Sequence, residues 1–269
     1  MDFTEEQIER YSRQIVLKEV GGIGQKKLLD SKITVIGCGG LGSPLTYYLT
    51  AAGIGNIKLV DFDRVDLSNL QRQILHYTSD INKMKTQSAY EKLSQLNPDI
   101  KIQIVNDILT SSNVKEVLKN SDFVIDGSDN LPTKLLINDA CVHLGIPFTI
   151  AGVLRFNGQV LTVIPQKKTT CYRCIFGDIS ENTQSMSCSQ AGVIGLIPGA
   201  IGCIQANEVI KYILDIGDLI VNRMLMVDFL NYHFSFIKVI RNENCQACGE
   251  NPVDLINTYD YKIGDACHE

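Results

Sequence analysis

Between Ile33 and Gly152 the chain alternates short runs of β-branched and aliphatic residues with longer segments of helical period. Such alternation is what strands joined by crossover helices produce, so the pattern predicts an α/β fold built on a mostly parallel sheet. The runs ITVIG (Ile33–Gly37), IKLVD (Ile57–Asp61), IQIV (Ile102–Val105), FVIDG (Phe123–Gly127) and FTIAG (Phe148–Gly152) read as strands covered on both faces. Helices are expected over Ser43–Ala52, Lys85–Leu96, Asn113–Lys119 and Pro132–Leu144, the last opening on a proline suited to a first turn.

After Gly152 the pattern changes. Gly158–Pro165, Arg223–Phe229 and Phe234–Ile240 read as antiparallel strands, and Ile201–Leu214 as a helix with Glu208 and Lys211 on its outer face. No Pro/Ser/Gly-rich linker separates the halves, so residues 1–269 are expected to form one domain whose parallel sheet is extended by antiparallel strands. Residues 1–30 are expected as a helical arm and 250–269 as a polar, extended tail.

Composition narrows the class. With 45% hydrophobic residues and 21 glycines in 269, the chain has material for a sizeable core, which excludes disordered, collagen-like and coiled-coil architectures. A net charge of −5 argues against a nucleic-acid partner, because phosphate binding leaves a basic excess. The longest apolar run, Ala191–Ile204, is shorter than the roughly 20 residues that span a bilayer and contains Pro198, so no membrane partner is expected. The start, MDFTEEQIERYSRQ, is acidic rather than a basic segment followed by an apolar one, which implies cytoplasmic residence. The nine cysteines are then expected to be reduced: fillers, metal ligands or reactive thiols.

GCGGLG (Gly37–Gly42) follows a strand and opens a helix, so its backbone N–H groups and the helix dipole can approach a phosphate. Asp61, nineteen residues after Gly42, ends the next strand where a carboxylate meets ribose hydroxyls. These residues indicate an adenine nucleotide and leave NAD, FAD and ATP open. The polar stretch that follows carries Asn69, Gln71, Arg72 and Gln73, with Lys85 opening the next helix. Cations there suit a triphosphate reacting at phosphorus better than hydride transfer, although most arginines and lysines are solvated surface charges. DGSDN (Asp126–Asn130) puts Asp129 at the carboxyl edge of the sheet, as a magnesium ligand, as a helix cap, or as both.

Cys171-x-x-Cys174 and Cys245-x-x-Cys248 form two knuckles, the set of a closed, structural zinc site. Cys188 stands alone in a polar, serine-rich stretch, either a nucleophile or an inert loop thiol. Cys38, Cys141 and Cys203 read as core fillers, and His76 and His143 as structural.

With GCGGLG, LSNLQRQ, the Asp129-Asn130 pair, CYRC and CQACG in this order and spacing, the chain resembles the MoeB/ThiF family of adenylyltransferases, bacterial relatives of ubiquitin-activating enzymes, from about Glu6 to Gly249. The resemblance implies a Rossmann-like sheet and an enzyme that uses MgATP to adenylate the C-terminal glycine carboxylate of a ubiquitin-fold sulfur carrier ending in Gly-Gly. The acyl-adenylate would become a thiocarboxylate for thiamine, molybdopterin or related sulfur synthesis. It implies nucleotide contacts at Gly37, Gly39, Gly40, Gly42, Asp61, Asp63, Ser68, Asn69, Arg72, Gln73, Lys85, Asp129 and Asn130, with Asp129 also on magnesium. Arg13 would reach the γ-phosphate in the other subunit of a homodimer, and Cys188 matches a cysteine that forms a covalent link in some members. The family's glycine and proline before its lysine are replaced here by Asn82-Lys83-Met84, which makes Lys83 a rival of Lys85. No rhodanese segment is fused, so a separate persulfide donor, desulfurase or rhodanese, is expected. The competing readings are adenylation of a peptide or other carboxylate, an NAD-dependent oxidoreductase with a zinc-bound extension, and a platform that binds a carrier without chemistry.

Overall fold

The computed structural model describes residues 3–177 and 192–261. Eight strands form one mixed sheet: β1 (Lys32–Ile36), β2 (Asn56–Val60), β3 (Lys101–Val105), β4 (Phe123–Asp126), β5 (Phe148–Leu154), β6 (Asn157–Val163), β7 (Arg223–Asp228) and β8 (His233–Lys238). Their order is β3-β2-β1-β4-β5-β6-β7-β8. The first five run parallel and the last three antiparallel, so the second half of the chain continues the sheet begun by the first. The direction reverses at a two-residue hairpin, Arg155-Phe156, where Arg155 takes a left-handed φ of 55°.

Residues 1–30 are helical over α1 (Glu5–Ile15) and α2 (Gly21–Asp30), α1 starting on a capping box between Thr4 and Gln7 and α2 burying Leu28 in the core. Helices α3 (Gly42–Ala52), α4 (Lys85–Leu96), α5 (Val114–Leu118) and α6 (Leu131–Leu144) are the crossovers. One face of the sheet buries Val35 and Leu59 against Leu45 and Leu49 of α3, Leu93 of α4 and Val209 of α8 (Leu196–Leu214). The other buries Val124 and Phe148 against α5, α6 and the short α7 (Tyr172–Phe176).

Four expectations are corrected. Strands β1 to β3 are not apolar on both faces: Lys32, Thr34, Asn56, Lys58, Lys101 and Gln103 alternate with their aliphatic residues, and β3 is the sheet's edge. Helix α8 starts at Leu196, ahead of Ile201, with Pro198 in its first turn, where no N–H partner is lost. Glu208 is not on an outer face but 1% exposed, accepting from Ile220 N (2.6 Å) and Thr162 Oγ1 (2.7 Å) and pairing with Lys211 Nζ. Helix α8 is apolar nearly all round, so its sequence marks no solvent side. Finally, the described part of the tail is not all extended: Leu255–Thr258 form a turn of helix, α9, with Leu255, Ile256 and Tyr261 buried. Among the described residues, no helix is long and apolar enough to cross a membrane.

Candidate functional site

Strand β1 has β2 on one side and β4 on the other, so the loops after β1 and β4 diverge and open a crevice at the carboxyl edge of the sheet. The glycine loop fills one wall. Gly37 sits at φ +94°, and a Cβ there would lie 2.8 Å from Gly127 O of the loop after β4. A Cβ on Gly42 would meet Gly37 O at 2.1 Å, so the loop closes on itself only without side chains. Gly39 faces Gln73, and Gly40 faces Pro198 and Arg72. The crevice thus has a floor of backbone and a rim of polar side chains.

Asp61 ends β2 below this loop. Its Oδ2 accepts from Cys38 N (2.7 Å) and its Oδ1 from Asp63 N (2.8 Å), which fixes the carboxylate and leaves each oxygen a second lone pair. Desolvation raises the Asp61 pKa, while Lys85 and the two N–H donors oppose that. Lys85 is 5% exposed, with Nζ 2.7 Å from Asp63 Oδ2. Burial opposes its charge, but Asp61, Asp63 and Asp129 outweigh burial and hold the ammonium above its ordinary pKa. The rival Lys83 points elsewhere, to Asp80 (3.1 Å) and Glu91 (3.0 Å). Its charge is absorbed by a separate acidic cluster outside the crevice.

The segment after β2 forms a single 3-10 turn, Leu67–Asn69, capped by Asp66, which accepts from Ser68 N at 2.8 Å. Ser68 Oγ also donates to Asp66 (2.6 Å), and Asn69 Oδ1 accepts from Asp66 N (3.3 Å). Arg72, half-buried, anchors on Ser68 O (3.1 Å). Gln73 is 4% exposed with Oε1 buried and unpaired, an acceptor that a ligand's hydroxyl could satisfy.

On the opposite wall, Asp129 is exposed, and the cap of α6 is Asn130, whose Oδ1 accepts from Thr133 N (2.9 Å). The capping role weighed for Asp129 therefore falls to its neighbour Asn130. Sequence reasoning missed what holds this loop. Lys134 Nζ donates to Asp126 Oδ2 (2.6 Å), Ser128 O (2.7 Å) and Ala151 O (2.7 Å), with Lys134 7% exposed and Asp126 fully buried. One signal was present: a lysine near the start of a helix opposes the dipole and needs a local anion. Arg13 is exposed on α1 with no ion pair among the described residues. Cys188 lies outside the described residues.

The knuckles meet behind β6 and β8. Cys171 Sγ is 3.7 Å from both Cys174 and Cys245, Cys174 is 3.3 Å from Cys248, and all four sulfurs lie within 4.8 Å of one another. A zinc ion with bonds of about 2.3 Å gives a sulfur tetrahedron with edges of about 3.8 Å, whereas a disulfide needs about 2.05 Å. The four thiols fit zinc and leave no open position. Asn242 N donates to Cys174 Sγ (3.4 Å) as outer support. His76, buried, bonds Cys38 O and Ser88 Oγ (both 2.9 Å), a structural strut under the glycine loop. Cys38 and Cys141 are buried fillers, and Cys203 is half-buried.

A glycine loop, an acidic strand end and a switch point between β1 and β4 in one mixed sheet define a Rossmann-type α/β protein. The chain belongs to the ThiF family, whose model matches residues 11–248. It is 42% identical over 255 residues to the SAMP-activating enzyme E1 of Haloferax volcanii, covering 95% of this chain and 94% of that one. It is 39% identical over 256 residues to the sulfur carrier protein adenylyltransferase of Thermus thermophilus, covering 94% of each. The adenylyltransferase and sulfurtransferase MOCS3 of Bos taurus is 42% identical over 258 residues, and the match spans 56% of its length. Among solved structures, E. coli MccB with ATP superposes with a TM-score of 0.77 at 25% identity, covering 89% of this chain and 74% of that one.

Proposed function

We propose that this protein uses ATP to adenylate the C-terminal carboxylate of a ubiquitin-fold sulfur-carrier protein, giving an acyl-adenylate from which a donor persulfide displaces AMP to form an acyl disulfide, and that a second thiol then reduces this to the thiocarboxylate with formation of a disulfide. The observation that carries the reading is Lys85: a buried ammonium facing Asp61, Asp63 and Asp129 beside a glycine loop that closes on itself only without side chains. So acidic a crevice accepts a triphosphate only with a divalent cation, and the names of the relatives supply the reaction class.

In this proposal Asp61 orients the ribose through its remaining lone pairs, the glycine loop takes phosphate oxygens, and Gln73 Oε1 pairs a hydroxyl. The Asp129 carboxylate, exposed and not used as the cap of α6, would hold magnesium. That ion would supply positive charge to offset the charge of the phosphates. The carrier carboxylate attacks the α-phosphorus; a C–O–P bond forms as the bond to pyrophosphate breaks. Repulsion between anions is the main barrier, and Lys85 and Arg72 offset it and stabilise the leaving pyrophosphate. No general base is needed, since the nucleophile is already ionised.

A homodimer with composite sites is part of the proposal. Arg13 has no ion-pair partner among the described residues of its own chain, and around it Val16 (75% exposed), Ile23 (65%) and Leu17 (52%) form an apolar surface that a second copy would cover. The test is carrier-dependent pyrophosphate release from MgATP by wild type, Asp129→Ala and Arg13→Ala. Both variants are expected to fold normally and to release little pyrophosphate. Wild-type release by Asp129→Ala would remove Asp129 from the chemistry.

A further inference from the structure

At the opposite end of the sheet from the crevice, the strands carry a second polar surface. In register, Lys32 pairs with Asn56 and Asn56 with Lys101, while Thr34 pairs with Lys58 and Lys58 with Gln103, so six polar side chains form two rows on one face of β1, β2 and β3. On the reverse face the intervening positions are Ile33, Val35, Ile57, Leu59, Ile102 and Ile104, all packed in or against the core. The interior of a doubly wound sheet is ordinarily apolar on both faces, because helices cover both. Here α5 is only five residues long, and a cavity of about 390 Å³ stands over the polar rows.

The residues from 119 to 121 close one side of that cavity. Lys119 brings the lysines in its lining to four, with no carboxylate among the described lining residues, in a chain whose net charge is −5. Ser121 Oγ and Thr34 Oγ1 are 2.7 Å apart at its base, and Lys58 Nζ reaches Val117 O (2.7 Å). Desolvation lowers the Lys58 pKa, with Glu116 opposing, so an anion in the cavity would relieve a cost the empty fold carries. Two acids flank the lysines: Asp122, whose Oδ2 accepts from Lys32 N (2.7 Å), and Glu116, 3.7 Å from Lys119.

We infer that this cavity is a binding site for a small, multiply charged phosphate-class anion, held by Lys32, Lys58 and Lys101 with hydroxyl and amide donors between them. Ammonium groups supply the charge, and Asn56, Gln103, Thr34 and Ser121 supply directional hydrogen bonds to oxygen. The site is separate from the switch-point crevice and independent of the activity proposed for it.

The test is calorimetric titration of the full chain at matched ionic strength with inorganic pyrophosphate and, as a second arm, a sugar phosphate, which tells a free anion from an ester. Lys32→Ala/Lys101→Ala removes two exposed side chains, so folding, checked by thermal melting, is expected to persist. It is expected to weaken binding about tenfold or more. Gln103→Glu, which keeps every lysine but adds a negative charge to the cavity, is expected to weaken it likewise, while Arg72→Ala, in the crevice, is expected to retain this binding event. Absence of binding in both arms overturns the inference, as does binding that Arg72→Ala abolishes and the lysine variant keeps.

Discussion

Replacing Lys134 with methionine isolates the contribution of the buried pair under the loop after β4. The side chain keeps its length and apolar stem, but three acceptors lose their donor: Asp126 Oδ2, Ser128 O and Ala151 O. Asp126 stays buried at 0% exposure, with only Ser128 to hydrogen-bond its carboxylate. Breaking a buried pair by removing one partner costs about 3–5 kcal/mol, because the remaining charge is uncompensated. At about 2–4 °C per kcal/mol for a domain this large, melting should fall by roughly 6–20 °C. Urea unfolding at neutral pH measures the loss, and the exposed Lys119→Met, expected within about 0.5 kcal/mol of wild type, is the control. Pairing Lys134→Met with Asp126→Asn should recover part of the loss, the positive coupling of two groups in contact. If Lys134→Met costs no more than Lys119→Met, the pair does not hold this loop and the argument fails.

His76 is neutral in the fold because burial drives its pKa down from 6.5 to about 4, with Lys85 and Lys92 adding to the shift. The unfolded chain therefore binds a proton that the folded one refuses, and stability should fall by about 3 kcal/mol as pH drops from about 6.5 to 4; denaturant titrations of His76→Gln should show a flatter profile over that window, and an unchanged profile would contradict it. Cys245→Ser should reduce bound zinc, measured by mass spectrometry of metal content, below one per chain and expose the segment around Arg241 to trypsin, whereas full zinc content would refute the assignment of four cysteine ligands. Gly42→Ala, which forces a Cβ to within 2.1 Å of Gly37 O, should cost about 3 kcal/mol and abolish nucleotide binding; ATP affinity equal to wild type would show that the loop can open.

Much of the fold was legible because the period-2 and helical patterns in the first half of the chain are strong. The glycine loop, Asp61 and the four cysteines were legible because local backbone geometry and metal chemistry restrict the residue types allowed there. What escaped depends on tertiary context. The reverse face of α8 carries Glu208, and nothing along a helix that is apolar all round says that this carboxylate turns inward to Thr162 and the Ile220 N–H. The docking of the tail is a long-range event: Tyr261 donates to Asp139, itself bonded by Arg173, and no local pattern joins positions so far apart. Spacing alone favours Lys85 over its rival Lys83, and the positions of Asp63 and Asp80 are what separate them physically. The alternation in β1 to β3 was visible in the letters, yet the expectation of a sheet covered on both faces masked it.

The central claim is that this crevice joins AMP to a carrier's C-terminal carboxylate. Intact-mass spectrometry of a ubiquitin-fold sulfur carrier ending in Gly-Gly, incubated with MgATP and this protein, tests it directly. The account predicts a carrier species heavier by one AMP moiety, formed with release of pyrophosphate and absent with Lys85→Ala. A carrier of unchanged mass and no pyrophosphate release, under conditions where the protein binds both ATP and the carrier, would contradict it.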